Sequence, residues 1–208
     1  MTSNTSPTPR KRKERKENAD MRRQQLYEAT LRSIVQNGLS KTTLATVAEE
    51  AGLSQGVAVF YFKSKTGLLV ETLREQYSRY EANWQSALAA AGEDPYNQLL
   101  AIITADFAPE ICNRELLSVW FAFWGELTFT PQYAEISAQY DSARSNAILE
   151  ICERIFAGKS ALDPNKVAEV IDTLTDGFWQ KLHLYPNNIT REDAIAATLE
   201  LVAQILPK

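Results

Sequence analysis

The chain has 208 residues, of which 45% are hydrophobic and 23% are charged, so it can form one or two domains with an apolar core. Its longest apolar run, residues 116–124, is about half as long as a membrane span, and its N-terminus lacks the pattern of a secretory signal, so we expect a cytoplasmic protein. Two cysteines without CxxC spacing and a single histidine, His183, exclude a disulfide framework and a His/Cys metal site, and no motif calls for a cofactor.

Charge is distributed unevenly along the chain. Residues 1–23 contain eight Lys or Arg and three Asp or Glu, whereas residues 71–208 carry a net charge of −10. A basic N-terminal segment followed by an acidic remainder indicates that only the N-terminal part binds a polyanion. Residues 1–20 join a Ser/Thr/Pro-rich start to a run of Lys and Arg, and we expect them to be a disordered basic extension.

Helix signals dominate the rest of the chain, and strand-like alternation is absent, so we predict an all-α fold. Several helix starts carry a capping oxygen before a proline, or a capping box. These starts are Asp94-Pro95, Thr130-Pro131, Asp163-Pro164 and Thr190 with Asp193. The predicted helices lie near residues 22–37, 43–51, 55–62, 65–91, 95–108, 113–128, 131–157, 164–185 and 191–206.

The first three predicted helices form a separate unit. Asn37-Gly38 ends the first helix, because glycine tolerates the left-handed backbone conformation. The second helix ends at Gly52, and Ser54 caps the third. One face of the second helix carries apolar residues at helical spacing, namely Leu44, Val47, Ala48 and Ala51. Two short helices joined by a three-residue turn behind a basic segment are typical of a helix-turn-helix that binds DNA.

The third predicted helix has two different faces at 100° per residue. The face toward the core contains Val57, Ala58, Tyr61 and Phe62. The opposite face contains Gln55, Gly56, Val59, Phe60 and Lys63. We expect this second face to enter the major groove, where Gln55 can bridge adenine while Val59 and Phe60 suit thymine methyl groups.

Residues around this helix complete the predicted DNA contact. Gly56 lets the helix start approach the bases closely, and Thr43, Tyr61 and Lys65 are natural phosphate contacts. The predicted DNA-binding residues are therefore Thr43, Ser54, Gln55, Gly56, Val59, Phe60, Tyr61 and Lys65.

The stretch TTLATVAEEAGLSQGVAVFYFKSKTGLL, residues 42–69, resembles the helix-turn-helix of the TetR family of bacterial repressors. The family pattern is a Thr pair, an Ile-Ala-like pair, Ala-Gly-Val-Ser, a glycine, an aromatic-Tyr-Phe run and Ser-Lys. This chain departs from it at Val57-Ala58-Val59, where the family often has Thr-Leu-Tyr. Segments at residues 21–34, 66–77, 122–131 and 170–179 resemble the BetI branch, the choline-responsive repressors.

This resemblance implies two domains after the extension: a three-helix DNA-binding domain over residues 21–66 and a helical ligand-binding and dimerisation domain over residues 67–208. It also implies a homodimer that reads a palindromic operator, paired through a four-helix interface of the last two helices. Apolar stripes suit that interface, formed by Val167, Val170, Ile171 and Leu174 on one helix and Ile195, Leu199, Val202 and Leu206 on the other.

Aromatic residues concentrate on the sixth and eighth predicted helices, at Trp120, Phe121, Phe123, Trp124, Phe178 and Trp179. Carboxylates lie nearby in sequence at Glu126, Asp141, Asp172 and Asp176. Aromatic faces with a carboxylate suit a quaternary ammonium cation. We therefore predict that choline or a similar cation is the effector, bound by Trp120, Phe123, Trp124, Asp176 and Trp179.

Three other interpretations stay open or are excluded at this point. An enzyme is excluded because His183 has no nucleophile partner and no glycine loop cradles phosphate. A nonspecific nucleic-acid or membrane-surface adaptor would depend on the basic tail alone. A TetR-type regulator that senses an unrelated apolar or cationic molecule, acting as repressor or activator, is the closest alternative.

Overall fold

The computed structural model describes residues 9–158 and 162–206, and all regular structure in these ranges is helical. The nine helices there are α1 Pro9–Lys41, α2 Leu44–Glu50, α3 Gln55–Phe62, α4 Lys65–Ala90, α5 Pro95–Ala105, α6 Arg114–Trp124, α7 Pro131–Phe156, α8 Pro164–Leu184 and α9 Arg191–Ile205. The chain divides after Thr72 into two compact units, so α4 contributes to both. None of the described helices combines the length and the apolarity that a membrane crossing requires. The predicted all-α fold is confirmed.

The first helix begins earlier than predicted. α1 starts at Pro9, so it includes residues 9–20 of the predicted extension, and residues 1–8 lie outside the described residues. Lys, Arg and Glu have high helix propensity, and Lys16 and Asp20 are spaced for an i,i+4 ion pair, which favours the extension of the helix. Gly38 interrupts α1 with φ 75° and ψ 167°, close to where the sequence predicts its end.

The helix-turn-helix folds around a small apolar core in the first unit. Thr43 caps α2 in a capping box with Thr46. Gly52 adopts φ 64° in the turn that follows. The buried core consists of Leu26, Ala29, Val47, Ala48, Ala51, Ala58 and Leu68. Four of these core residues are small alanines, which let α1, α2 and α3 approach closely.

A close contact joins the end of α3 to the start of α4. The α3 C-cap, Lys63, has φ 66°, an uncommon conformation for a residue other than glycine. The backbone of Gly67 lies so near the carbonyl of Phe62 that an added Cβ would be 2.2 Å from its oxygen. Glycine at position 67 is therefore required by packing within this unit.

The second unit consists of the rest of α4 and helices α5 to α9. The predicted caps Asp94, Asp163 and Thr190 each accept a backbone hydrogen bond, whereas Thr130 stands at the N-cap of α7 without one. In the interior, α7 packs against both α5 and α8. The side chains of Leu99, Ile103, Ile148 and Ile155 are among those fully buried there.

The apolar stripes of α8 and α9 serve two environments. Val167, Ile171 and Val202 are buried in the interior of the second unit, so they are core residues within one chain. Val170 is 48% exposed, and Leu174 is half-buried. The stripe predicted for dimerisation is therefore available at its outer residues only.

Candidate functional site

The outer face of α3 is exposed and apolar. Ala58 is fully buried, and Val57, Tyr61 and Phe62 pack against the core, whereas Phe60 is 68% exposed. The residues predicted to face outward are all exposed, namely Gln55, Gly56, Val59, Phe60 and Lys63. The predicted division of the helix into two faces is confirmed. A large exposed aromatic on a short helix is typical of an interaction surface.

The start of α3 is unobstructed. A Cβ added to Gly56 would have only the Ser54 hydroxyl oxygen within 4 Å, at 3.8 Å, so packing within the chain does not require glycine there. Ser54 occupies the N-cap position but makes no side-chain capping hydrogen bond, and it is exposed. The turn thus presents small side chains and the backbone N–H groups of a helix start, which suit close approach to a polyanion.

The predicted phosphate-contacting residues lie in α3 (Tyr61) or on either side of it (Thr43 and Lys65), and they have roles within the chain as well. The hydroxyl of Thr43 accepts a hydrogen bond from the backbone N–H of Thr46 at 3.1 Å. The Lys65 ammonium donates to the carbonyl of Ser40 at 2.6 Å, which leaves it two further donors. Arg23, which sequence reasoning did not select, places its guanidinium 5.8 Å from the ring centre of Tyr61.

The second unit encloses a cavity of about 140 Å³ between α4, α6, α7 and α8. It is lined by Tyr77, Tyr80, Trp120, Trp124, Asp141, Arg144, Ser145, Asp172, Asp176 and Trp179. The structure thus brings together four of the five residues predicted to bind the effector. Phe123 is not among the lining residues, since it is fully buried with its ring 5.3 Å from that of Tyr133. It follows Trp120 by three positions but points about 100° away from Trp124 around the helix.

Aromatic residues make up half of the residues that line the cavity. Trp120 is central, because its ring centre lies 4.7 Å from Tyr77, 6.0 Å from Tyr80 and 5.9 Å from Trp179. Trp124 and Trp179 are nearly parallel, with ring centres 6.0 Å apart. Several aromatic faces therefore meet around one small space, which is the arrangement that stabilises a cation without hydrogen-bond donors.

A buried ion pair supports this wall. The Arg144 guanidinium forms ion pairs with Asp106 and Asp172, and Arg144 and Asp106 are almost fully buried. Burial lowers the pKa of Arg144, but the charges around it, Asp106 first, outweigh burial and raise the pKa above its usual range. Tyr80 and Trp179 donate to Asp106 as well, through a hydroxyl at 2.8 Å to the carboxylate and an indole N–H at 3.0 Å to the backbone carbonyl.

Two carboxylates of the cavity form no direct ion pair with a basic residue among those that the structure describes. Asp141 accepts hydrogen bonds from Ser137 at 2.7 Å and from Tyr77 at 3.4 Å. Asp176 is exposed as a whole residue, yet desolvation of its carboxyl by the surrounding protein raises its pKa to about 6. Arg144 opposes that rise in pKa, while the neighbouring carboxylates reinforce it. The cavity therefore has an excess of negative charge over the single guanidinium.

Sequence reasoning missed Tyr77, Tyr80, Asp106 and Arg144. One signal for Arg144 was available: it lies on the buried stripe of α7, seven residues after Ser137 and four before Ile148, where an arginine must find a buried partner. Tyr77 and Tyr80 have i,i+3 spacing and share a face of α4, but nothing local relates that face to α6 and α8.

A second concave surface lies between α8 and α9. It is an apolar groove of about 650 Å³ whose walls include Val170, Leu174, Phe178, Leu184 and Leu201. Leu184 is 52% exposed and Tyr185 is 57% exposed, so large apolar side chains remain in contact with solvent there. Such a surface on a single chain indicates an interface with another molecule.

Comparison with protein families assigns both units. Residues 26–72 match the model for bacterial regulatory proteins of the tetR family, and residues 95–207 match the model for the C-terminal part of BetI-type transcriptional repressors. The second match alone covers more than half of the chain.

Curated relatives agree with these assignments. The chain is 32% identical to the HTH-type transcriptional regulator BetI of Paraburkholderia xenovorans (strain LB400) over 77% of this chain and 80% of that protein. It is 31% identical to the BetI of Stenotrophomonas maltophilia (strain R551-3) over 76% of this chain and 80% of that protein.

Solved structures share the fold. A transcriptional regulator from Pseudomonas aeruginosa PAO1 superposes with a TM-score of 0.80 at 22% identity, covering 89% of this chain and 90% of that chain. A regulator from Saccharomonospora viridis in complex with choline superposes with a TM-score of 0.79 at 17% identity, covering 89% and 97%. The chain therefore belongs to the TetR family, as a DNA-binding transcriptional regulator with a BetI-type C-terminal domain.

Proposed function

We propose that the protein is a homodimeric repressor that leaves its operator when a choline-like quaternary ammonium cation binds in the cavity of the second unit. The observation that carries this proposal is the composition of the cavity: five aromatic residues together with more carboxylates than guanidinium groups. A quaternary ammonium donates no hydrogen bonds. Attraction to aromatic faces and to negative charge therefore offsets the hydration free energy that it loses on binding.

The size of the cavity also favours a small cation. A volume of about 140 Å³ corresponds to about five water molecules at liquid density, so a much larger effector would not fit without rearrangement. The BetI names of the curated relatives and the choline complex of the Saccharomonospora regulator support the same class of ligand. An unrelated apolar or cationic molecule remains the alternative that the binding experiment separates from choline.

For DNA reading, we propose that the exposed face of α3 enters the major groove. Gln55, Val59 and Phe60 would contact base edges, with Gly56 and Ser54 allowing the helix start to come close. Thr43, Tyr61 and Lys65 would contact phosphates, which position the helix without reading sequence. Selection of bound duplexes from random DNA should yield a palindrome, and equal affinity for scrambled duplexes would contradict this proposal.

Dimerisation is proposed to cover the groove between α8 and α9. Val170, Leu184 and Leu201 expose large apolar surface there, and pairing two copies would remove it from water. Two half-sites about one helical turn apart require two linked recognition helices, which a dimer supplies. We expect Val170→Arg with Leu201→Arg to give a folded monomer by analytical ultracentrifugation; a variant that stays dimeric would exclude this surface.

Effector binding would act by shifting the equilibrium between a DNA-binding state and a released state of the dimer. The size of the shift is set by the difference in the cation's affinity for the two states. α4 is one continuous helix that contributes Lys65 to the first unit and Tyr77 and Tyr80 to the second. It is therefore the covalent element through which a change at the cavity can reach the DNA-binding unit. We infer a cytoplasmic location, where such a regulator meets its operator.

Calorimetric titration tests the proposed effector with a matched pair of ligands. Choline and 3,3-dimethyl-1-butanol have the same shape and hydroxyl, but only choline is charged. We expect choline to bind and to release operator DNA in a mobility-shift assay, while the neutral isostere binds much more weakly. Trp124→Ala should weaken choline binding, and Phe129→Ala, which removes an aromatic that is 77% exposed outside the cavity, should not. Absence of heat and of a melting-temperature shift with choline would exclude choline as the effector.

A further inference from the structure

One polar atom among the residues that line the cavity has no partner. The indole Nε1 of Trp120 is buried without a hydrogen bond to any of the residues that the structure describes, although Trp120 is only 1% exposed. Buried N–H groups are nearly always paired, because an unpaired donor loses its bond to water and gains nothing in return. This donor therefore requires an explanation.

A neighbouring indole in the same wall sets the contrast. Trp179 is also buried, but its Nε1 donates to the backbone carbonyl of Asp106 at 3.0 Å. Its position is thus fixed by a bond within the protein. Trp120 lies among the same rings, within 6.2 Å of Tyr77, Tyr80, Trp124 and Trp179, and lacks such a bond. The two indoles belong to the same residue type, are both buried and line the same cavity. They differ in that, among the described residues, only Trp179 has a hydrogen-bond acceptor within the protein.

We propose that the Trp120 indole N–H donates a hydrogen bond to an oxygen atom of the effector. The cavity then selects cations that carry an acceptor oxygen, such as a hydroxyl, ether or carbonyl, over cations whose substituents are purely alkyl. This inference rests on the proposed cation effector and adds its second recognition element. The aromatic rings and carboxylates bind the cationic group, and the Trp120 N–H recognises the oxygen at the other end of the ligand.

The charge distribution limits what that polar end can be. Arg144 is engaged by Asp106 and Asp172, so it is not free to receive a carboxylate from the ligand. Asp141 and Asp176 add further negative charge to the lining. A neutral oxygen meets the Trp120 donor without repulsion from these groups, whereas an anionic one does not.

A pair of ligands and a pair of variants test the inference. Propyltrimethylammonium has the shape and charge of choline but a methyl group in place of the hydroxyl. We expect choline to bind the full-length protein roughly tenfold more tightly by calorimetry, because the alkyl ligand leaves the Trp120 donor unpaired. Trp120→Phe should bring the ratio of the two affinities to about one. Trp179→Phe, which removes an indole already paired within the protein, should weaken both ligands and keep their ratio.

Three results decide the matter. Equal binding of the two cations to the unmodified protein overturns the role of Trp120 and leaves the cation effector standing. Retention of the choline preference in Trp120→Phe overturns it as well. Binding of neither cation overturns both this inference and the proposed effector.

A second measurement uses the unmodified protein and does not depend on folding of the Trp120 variant. The chain has four tryptophans, so its ¹⁵N spectrum contains four indole N–H signals, three of which can be assigned with Trp84, Trp124 and Trp179 variants. Choline should move the remaining signal downfield, as hydrogen bonding does, and propyltrimethylammonium should not. An unchanged Trp120 signal in saturating choline would overturn the inference.

Discussion

The outer face of α3 and the cavity of the second unit both contain aromatic side chains, but they expose them to opposite degrees. Phe60 is 68% exposed, whereas Trp120 is 1% exposed and Trp179 is 4% exposed. Apolar surface left in water contributes nothing to folding until a partner covers it. The aromatic wall of the cavity is buried before any ligand arrives. Substitutions on α3 should therefore alter binding alone, and those around the cavity should alter binding and stability together.

Two phenylalanines give the largest expected difference. Phe123→Ala removes a fully buried ring and should lower the free energy of unfolding by about 3–5 kcal/mol in urea titrations. Phe60→Ala should change it by less than about 0.5 kcal/mol, because the ring is exposed, while weakening binding to a selected operator. Comparable destabilisation by the two variants would contradict the contrast between the regions.

Two glycines sharpen the same contrast within the first unit. Gly67→Ala forces a Cβ to 2.2 Å from the Phe62 carbonyl oxygen and should destabilise the protein by about 1–3 kcal/mol. Gly56→Ala adds only an ordinary contact with the Ser54 hydroxyl and should be neutral or stabilising by up to about 1 kcal/mol, since alanine favours helix. Thermal unfolding measures both. Loss of operator affinity in Gly56→Ala alone would indicate that DNA, and not packing, requires glycine there; unchanged affinity would argue against close approach of the α3 start.

Protonation of Asp176 is expected to change the cation affinity of the cavity without changing DNA binding by α3. Its pKa is raised from 3.8 to about 6, so the unliganded protein loses stability from this group as the pH rises between those values. Binding of a cation requires the ionised carboxylate, so choline affinity should fall up to about tenfold from pH 7.5 to pH 5. Arg144 acts against this pKa rise, and Asp106, Asp141 and Asp172 act with it.

Calorimetry across that pH range is the measurement, and Asp176→Asn is its control. The variant should bind choline more weakly at pH 7.5 and show a flatter pH profile. A profile as steep as that of the unmodified protein would assign the titration to another group.

The smallest expected effect is that of the basic N-terminal segment. Deletion of residues 1–20 removes side chains that, where described, lie on the exposed part of α1, so stability should be unchanged. Operator affinity should fall a few-fold, with a shallower dependence on salt, because fewer phosphate contacts release counterions. Operator preference should remain. A deletion that abolishes binding to every duplex would instead favour a protein that depends on its tail.

Local spacing was sufficient to predict much of this molecule. The two faces of α3 follow from 100° per residue within eight positions, and the starts of α5, α8 and α9 follow from capping oxygens next to the first turn. The family assignment confirms both the helix-turn-helix and the exclusion of an enzyme.

The sequence predictions missed features that depend on residues far apart in the chain or on small differences in helix propensity. Arg144 contacts Asp106 and Asp172, which are 38 and 28 residues away, so the buried network could not be assembled from the sequence of α7. Phe123 was included because aromatic residues concentrate on the sixth helix, although it does not share a helix face with its neighbour Trp124. The start of the first helix was predicted near residue 22, whereas α1 begins at Pro9, which the high helix propensity of Lys, Arg and Glu favours.

The position of Asp106 has a practical consequence for redesign of this regulator as a biosensor. Three helices hold this one residue, through Tyr80 on α4, Arg144 on α7 and Trp179 on α8. A library that randomises these anchors would mostly sample unfolded chains. Trp124 and Asp176 line the same cavity from less buried positions. Substitutions at these two positions should therefore change which inducer is detected without unfolding the protein.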